Sequence, residues 1–344
     1  MRYPQFLGKG GRIGVIAPSF GCSIEPYASC FDEAIRRFEE KGFAVVEGPN
    51  SRLGEGLGKS NTPEKCGAEI NDFFINDRSD VIISCGGGET MCEDLPFVDF
   101  EGISKAKPKW FMGYSDNTNL VLTLPTLCDM AAIYGPNVSS FGQRPWHESI
   151  ENTFDFLCGK TLAVHNYDKW EKESFKADDN PYVPYNCTED FSMKLAGSAA
   201  AAQSAAFSGR LLGGCLDCLT LLCGTRFDKV CDFNRRYESD GTIWFIESCE
   251  LSSVGVRRGL WALRQAGWFD NARGFIFGRP FMYDDASFGL TQEQAVLDAI
   301  GDMNLPILLN TDIGHLPPQM PLIAGAAAEV SAAPGKLRIN HILR

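Results

Sequence analysis

Trp110-Phe111-Met112-Gly113-Tyr114-Ser115-Asp116 passes from an apolar run straight into a helical stretch over 116–127. A short apolar run closed by glycine reads as a buried strand. A strand that turns at once into a helix is half of a βαβ unit, and the neighbouring segments supply more of them. Gly11-Arg12-Ile13-Gly14-Val15-Ile16-Ala17 is a second buried strand, stopped by Pro18-Ser19. Residues 26–41 carry Phe31, Ala34, Ile35 and Phe38 at helical spacing, and 43–46 read as a strand. Thr62-Pro63 supplies a cap and first position for a helix over 62–74. Asp80-Val81-Ile82-Ile83-Ser84-Cys85 is a further strand that runs into Gly86-Gly87-Gly88. This alternation predicts an α/β fold: a doubly wound parallel sheet with helices on both faces. Ligands of such sheets bind beyond the carboxyl ends of the strands, here Pro18-Ser19, the triple glycine and Gly113-Tyr114-Ser115.

The second half resumes the alternation after a change of character. Residues 165–190 are polar with interspersed aromatics, and 198–206 are mostly Ala and Ser, which reads as a loop. Gly209-Arg210-Leu211-Leu212-Gly213-Gly214 leads into a helix, and 242–246 form a strand that ends at Glu247. Helices over 256–266 and 290–300, strands over 272–277 and 307–310, and a hairpin region over 322–331 complete the chain. The expected partition is an N-terminal domain over 1–165, an inter-domain loop or linker over 166–208 and a C-terminal domain over 209–344.

Composition bounds the function classes. The chain has 344 residues, 44% of them apolar, and a formal net charge of −12. That balance disfavours a phosphate backbone or an anionic membrane as partner. No apolar run approaches the roughly 18 residues of a membrane span. The N-terminal apolar run is too short for a secretory core, so a cytoplasmic protein is expected. Thirteen cysteines scattered from Cys22 to Cys249 fit reduced, buried thiols better than a disulfide framework. Cys215-Leu216-Asp217-Cys218 lacks the second close pair of a zinc site, and on a helix it shares a face with Leu219 and Leu222.

Three residues stand out for chemistry. Ser115 lies at a sharp strand-to-helix junction, where a hydroxyl is presented and the next N–H can bind an oxyanion. The plain alternative is that Ser115 or Asp116 caps the helix. Of the four histidines, His315 is held by Gly314 and Pro317-Pro318 after a strand, a good position for general acid–base work. Glu247 ends an apolar strand where a buried carboxylate can orient an imidazole. The Gly86–Gly88 loop is neither G-x-G-x-x-G nor a P-loop, but it can supply oxyanion N–H groups.

These segments come in a recognisable order: Ile13-Gly14-Val15-Ile16-Ala17-Pro18-Ser19, the glycine loop, Gly113-Tyr114-Ser115-Asp116, Tyr134-Gly135-Pro136, Gly209-Arg210-Leu211-Leu212-Gly213-Gly214, Phe245-Ile246-Glu247 and Gly314-His315. The set resembles the LD-carboxypeptidase family of serine peptidases, more closely its microcin-immunity branch, from about residue 10 to 335. The resemblance implies a Ser–Glu–His triad at Ser115, Glu247 and His315. It implies an oxyanion hole from the N–H of Asp116 and of Gly87 or Gly88. It further implies an N-terminal nucleophile domain, a smaller C-terminal α/β domain with barrel-like strands that carries the triad Glu and His, a homodimer, and no metal or organic cofactor. Cys215 stands where many relatives carry Asn, and Ser248 replaces an acidic residue. Trp170, Tyr182 and Tyr185 are candidates to stack on a substrate base. Arg210, Arg257, Arg258 and Arg279 are candidates to hold a substrate carboxylate. The expected function is a serine hydrolase that cleaves an amide bond near a peptide C-terminus, in a peptide, muropeptide or peptidyl-nucleotide. A silent ligand-binding protein of the same fold, a nucleotide-binding oxidoreductase, and a nucleophile at Cys85 or Cys92 are the alternatives.

Overall fold

The computed structural model describes residues 1–55 and 58–344. They form two compact units, one of residues 1–161 and 173–186, the other of 162–172 and 187–344. The first contains the parallel strands β1 (Arg12–Ile16), β2 (Ala44–Glu47), β3 (Val81–Ser84), β4 (Trp110–Gly113) and β5 (Ala132–Tyr134). Their order is β5-β4-β3-β1-β2. The direction of winding therefore reverses between β1 and β3, and the carboxyl ends there open a crevice. β1, β3 and β4 are almost wholly buried, as expected of strands covered on both faces. Helices Tyr27–Glu40 and Pro63–Ile75 fall where the spacing places them, the second with Thr62 at its cap position and Pro63 in its first turn. Phe38, Phe141, Trp146 and Phe154 pack ring against ring at 5.2–6.5 Å. They fasten the helix Glu148–Leu157 to this unit without help from a strand.

The second unit is a mixed sheet. Its strands are β6 (Ala163–His165), β9 (Lys194–Gly197), β10 (Ala205–Cys215), β11 (Thr242–Glu247), β12 (Ala272–Gly278), β13 (Pro306–Thr311), β15 (Ala327–Ala333) and β16 (Lys336–Ile342), with β7 (Lys169–Glu171) and β8 (Cys187–Asp190) forming a separate antiparallel pair and β14 (Leu322–Ala324) lying between β13 and β15 in sequence. The eight run β6-β16-β15-β10-β11-β12-β13-β9. β10 to β13 are parallel and flanked by antiparallel strands.

The Ala/Ser stretch expected to be a loop over 198–206 is a short helix, Ala199–Ala202, and the opening of β10. In Ala205-Ala206-Phe207-Ser208 only Phe207 favours a strand. That stretch is extended because β15 pairs with it along its length, from Ala205↔Ala332 to Arg210↔Ala327. The polar stretch 166–208 likewise holds β7, β8 and β9 and is shared between the two units.

Candidate active site

In the first unit β4 delivers Ser115 to the carboxyl edge of the sheet. Tyr114 is extended, with φ −140° and ψ −177°. Ser115 then takes φ +64°, a left-handed conformation that costs a side-chain-bearing residue roughly 1–3 kcal/mol. The surroundings hold it there. The Tyr114 N–H donates to Asn137 Oδ1 at 3.3 Å, and the Ser115 N–H donates to the Tyr134 hydroxyl at 3.3 Å. Asn117 Nδ2 donates to Gly86 O at 2.7 Å and to Tyr114 O at 3.0 Å, which ties the glycine loop to the junction. A tight turn over Ser115–Asn117 opens the helix Thr118–Cys128, and the cap positions are Tyr114 and Asn117. The capping alternative therefore does not describe Ser115 or Asp116. The buried Asp116 carboxylate turns away, accepting from the Ser19 hydroxyl and, at 2.9 Å, from the Met91 N–H. That fixes the Asp116 backbone beside the hydroxyl.

Gly87 completes this corner. A Cβ there would lie 2.9 Å from Ser115 Cβ and 3.0 Å from Ser115 Oγ, and 3.9 Å from Asp116 N. The Phe20 N–H donates to Gly87 O at 2.7 Å and sets the loop's height. Gly88 has φ +151° and presses on Ser19, so it too has no room for a side chain. Gly87→Ala is expected to lower kcat/KM by about 100-fold, the scale of misplacing one oxyanion donor, because its Cβ pushes the loop and Ser115 apart, with a modest fall in melting temperature from the same overpacking. Steady-state kinetics and a melting curve on the same preparation separate the two effects. Cys85, the alternative nucleophile, is fully buried, and that burial pushes its thiol well above 9. A thiol held protonated is a poor nucleophile.

In the second unit Glu247 is the last residue of β11, 2% exposed and level with Cys215 on β10. Two glycines make its pocket. A Cβ on Gly278 would lie 2.9 Å from Glu247 Cβ, and one on Gly314, where φ is +102°, 2.6 Å from Glu247 Oε2. The carboxylate meets the imidazole directly: His315 Nδ1–H donates to Glu247 Oε2 at 2.8 Å. This leaves Nε2 as the basic nitrogen in the tautomer the bond favours. Burial by itself opposes charging the ring. The Glu247 carboxylate and side-chain hydrogen bonds to Cys249 and Glu247 outweigh it, and the imidazole is held well above its ordinary 6.5.

Two supporting residues are not visible as such in the sequence. Asp217 accepts from the Cys249 N–H at 3.1 Å and the Glu250 N–H at 2.9 Å, which fixes the chain just after Glu247. Cys249 bonds the imidazole. The signal that points to Asp217 is an acid in the first turn of the helix Leu216–Leu222, directly after the Gly213-Gly214 strand end. Cys215 and Cys218 are buried beside Leu219 and Leu222, as the helical spacing implies.

The substrate-contact candidates are dispersed. Arg210 lies midway along β10, five residues before Cys215, so roughly 16 Å of strand separates it from the level of Glu247. It is 5% exposed, paired with Asp240 at 2.7 Å, bonded to Gly325 O at 2.8 Å, and stacked on Tyr237 at 3.9 Å. It is a structural cation and not a substrate ligand, since its neighbours absorb its donors. Arg210→Met is expected to destabilise the fold by about 1–3 kcal/mol, because Gly325 O loses its buried donor and Asp240 keeps only the exposed Arg344 at 3.2 Å, with KM unchanged; urea unfolding and kinetics check this. Arg257 pairs with Asp298 at 3.0 Å on the surface. Arg279, 4% exposed, bonds Leu316 O, in the residue after His315, at 3.1 Å. Trp170 belongs to the second unit. Tyr182 and Tyr185 belong to the first, against Arg144 at 3.9 Å and His147 at 5.4 Å.

Residues 13–135 match the LD-carboxypeptidase N-terminal domain, and residues 208–330 match the LD-carboxypeptidase C-terminal domain. The chain belongs to the LD-carboxypeptidase family. It is 26% identical over 325 residues to the microcin C7 self-immunity protein MccF of Escherichia coli, covering 93% of this chain and 90% of that one. It is 26% identical over 335 residues to a probable murein peptide carboxypeptidase of Bacillus subtilis, covering 96% and 92%. A solved structure of MccF in complex with aspartyl sulfamoyl adenosine superposes with a TM-score of 0.81 at 23% identity, covering 100% and 99%. The family is one of carboxypeptidases and their immunity-protein relatives, so the hydrolase expectation holds at that level. Among the described residues no helix is long and apolar enough to cross a membrane.

Proposed function

We propose that this protein is a serine hydrolase that cleaves an amide bond near the C-terminus of a peptide or peptidyl-nucleotide. The observation that carries the reading is Ser115 held at φ +64° against Gly87, a strained hydroxyl with room for nothing but glycine beside it. The His315–Glu247 bond supplies a second support. In the proposed reaction His315 Nε2 takes the Ser115 proton as Oγ attacks the scissile carbonyl. Glu247 keeps the proton on Nδ1 and stabilises the imidazolium. The N–H of Asp116 and of Gly87 or Gly88 receives the oxyanion. His315 then protonates the leaving nitrogen, and water, activated by the same base, releases the acyl group. The same reading includes a cytoplasmic homodimer that needs no metal or organic cofactor.

Two relatives frame the substrate: one is named for immunity to a microcin and has been solved with an aminoacyl sulfamoyl adenosine, the other for murein peptides. The test is mass spectrometry of aspartyl sulfamoyl adenosine and of a muropeptide tetrapeptide ending in D-Ala, each incubated with wild type and Ser115→Ala. Release of D-Ala by wild type alone makes the protein a murein carboxypeptidase. Cleavage of the adenosine conjugate alone makes it an immunity-type amidase. Turnover that survives in Ser115→Ala overturns the reading.

A further inference from the structure

We propose that Asp94 is a proton-operated latch beneath the nucleophile corner of the first unit: as the neutral acid it lets the turn that ties down Asp116 pack dry, and its ionisation at alkaline pH loosens that turn. The inference goes beyond the hydrolase reading and rests on it only for the effect on turnover.

The chain from Met91 to Phe97 makes two short turns, Met91–Glu93 and Leu95–Phe97, joined at Asp94. Asp94 holds the join by its backbone. Its N–H donates to Met91 O at 2.9 Å, and its C=O accepts from the Phe97 N–H at 2.9 Å. It stands at the cap position of the second turn, where an aspartate ordinarily accepts backbone N–H groups through its carboxylate. Here the side chain makes no such bond. It is buried instead, 1% exposed, and neither carboxyl oxygen has a hydrogen-bond partner among the described residues.

A carboxylate is not kept in that state. Taken out of water and given no donor, it loses its hydration uncompensated and takes up a proton instead. The charged groups around it press the same way. Glu93 comes from its own turn, Glu69 and the Cys66 thiol from the helix Pro63–Ile75, and Asp116 from the turn Ser115–Asn117. Lys59 opposes them, but its ammonium is paired with Glu93. Burial, together with the three acids, outweighs Lys59 and pushes the Asp94 carboxyl up to about 8. Glu69 shows what donors do. It is also buried, but it accepts from the Ala17 N–H at 2.8 Å and the Asn50 N–H at 2.9 Å, and it rises only to about 7.

The latch reaches the corner through one bond. Met91 opens the first turn, and its N–H donates to Asp116 Oδ2 at 2.9 Å. That bond and the one from the Ser19 hydroxyl hold the residue whose own N–H is the proposed oxyanion donor. Ionising Asp94 sets a second negative charge near the Asp116 carboxylate, which is itself only 3% exposed. Turning Asp94 out to water relieves this, but only by opening the turn from Met91 to Asp94. The Met91–Asp116 bond is then lost, and the oxyanion donor is no longer fixed.

The experiment compares the full chain with Asp94→Asn, which has the shape of the neutral acid and does not ionise. In wild type the Asp94 carboxyl 13C resonance, assigned through its own backbone, is expected to titrate near 8. The unfolded chain gives up the same proton at about 4. The contribution of Asp94 to stability is therefore full below pH 4 and is lost as pH rises through 8. The melting temperature of Asp94→Asn relative to wild type is expected to rise by about 4 °C or more between pH 5 and pH 9. Its kcat/KM relative to wild type, on the substrate that wild type cleaves, is expected to stay within about twofold at pH 7 and to reach about tenfold at pH 9. A carboxyl that titrates near 4 overturns the proposal, as do melting temperatures that stay parallel from pH 5 to pH 9. A rate ratio that stays at one at pH 9 overturns it as well, since the acid then does not act on the corner. If wild type hydrolyses neither test substrate while the carboxyl titrates near 8 and the melting temperatures diverge, the hydrolase reading falls and the latch stands. Hydrolysis with a carboxyl that titrates near 4 removes the latch and leaves the hydrolase reading in place.

Discussion

Ser115→Ala is expected to lower kcat by about ten thousand- to a million-fold on whichever substrate the wild type cleaves, with substrate affinity retained. The range is that of removing the nucleophile from a serine triad, where the remaining rate comes from the oxyanion site and binding alone. The same substitution is expected to leave the fold intact or to stabilise it slightly. The hydroxyl is not a helix cap here, since Tyr114 and Asn117 occupy those positions. The φ of +64° is imposed by the junction and persists with alanine. Loss of activity with an unchanged melting temperature therefore assigns chemistry to Oγ. Loss of both would mean that the side chain holds the turn together, and the catalytic reading would have no support from this variant. Ser115→Cys gives a second reading of the same atom. A thiol at the elbow should keep a measurable acylation rate with an active ester, because nucleophile and oxyanion site still cooperate.

The elements that surround this serine are legible because their local signals and their tertiary roles agree. β1, β3 and β4 are short apolar runs with punctuation at the carboxyl end, and a buried parallel strand demands that pattern. β5 is three residues long and β6 also three, too short for any periodicity. β10 is opaque for a different reason. Its eleven residues are largely Ala, Gly and Ser, and pairing on both edges decides what they become. The sites divide in the same way. The proposed triad stands out by position: Glu247 closes a strand, and Ser115 and His315 follow one, each close to a glycine. Arg210, beside Gly209, misleads, because its sequence neighbourhood cannot show that Asp240, Tyr237 and Gly325 claim the guanidinium midway along β10. Asp217 is hidden in the sequence because it acts through backbone N–H groups some thirty residues away.

Glu247→Gln is expected to lower kcat by about ten thousand-fold, the effect of losing the orienting acid in an unrelated serine peptidase. An amide of the same shape fills the pocket made by Gly278 and Gly314, but its NH2 can face Nδ1 and draw the imidazole into the wrong tautomer. The pH dependence carries more information than the rate. In the wild type, the Glu247 charge at 2.8 Å holds the His315 imidazole well above 6.5 against the opposing effect of burial. A base must be neutral to act, so kcat/KM should climb with pH and reach its plateau only above that raised value. Removing the charge leaves the bond to Cys249 to oppose burial, and the acid limb should move to lower pH than in the wild type. Stability follows with a definite sign. A folded-state value above the unfolded one means that the protonated ring stabilises the fold at low pH. That contribution is lost as pH rises from about 6.5 through the raised value. In Glu247→Gln the folded value falls toward the unfolded one, so the stabilisation of the fold on acidification should shrink. Imidazole resonances measure this directly, for only four histidines are present and His341 is removed from the window by burial, which brings it down to about 4. If the His315 resonance titrates at the same pH in wild type and Glu247→Gln, the carboxylate does not govern the imidazole, and the large rate loss would have to come from disturbed packing around Gly278 and Gly314.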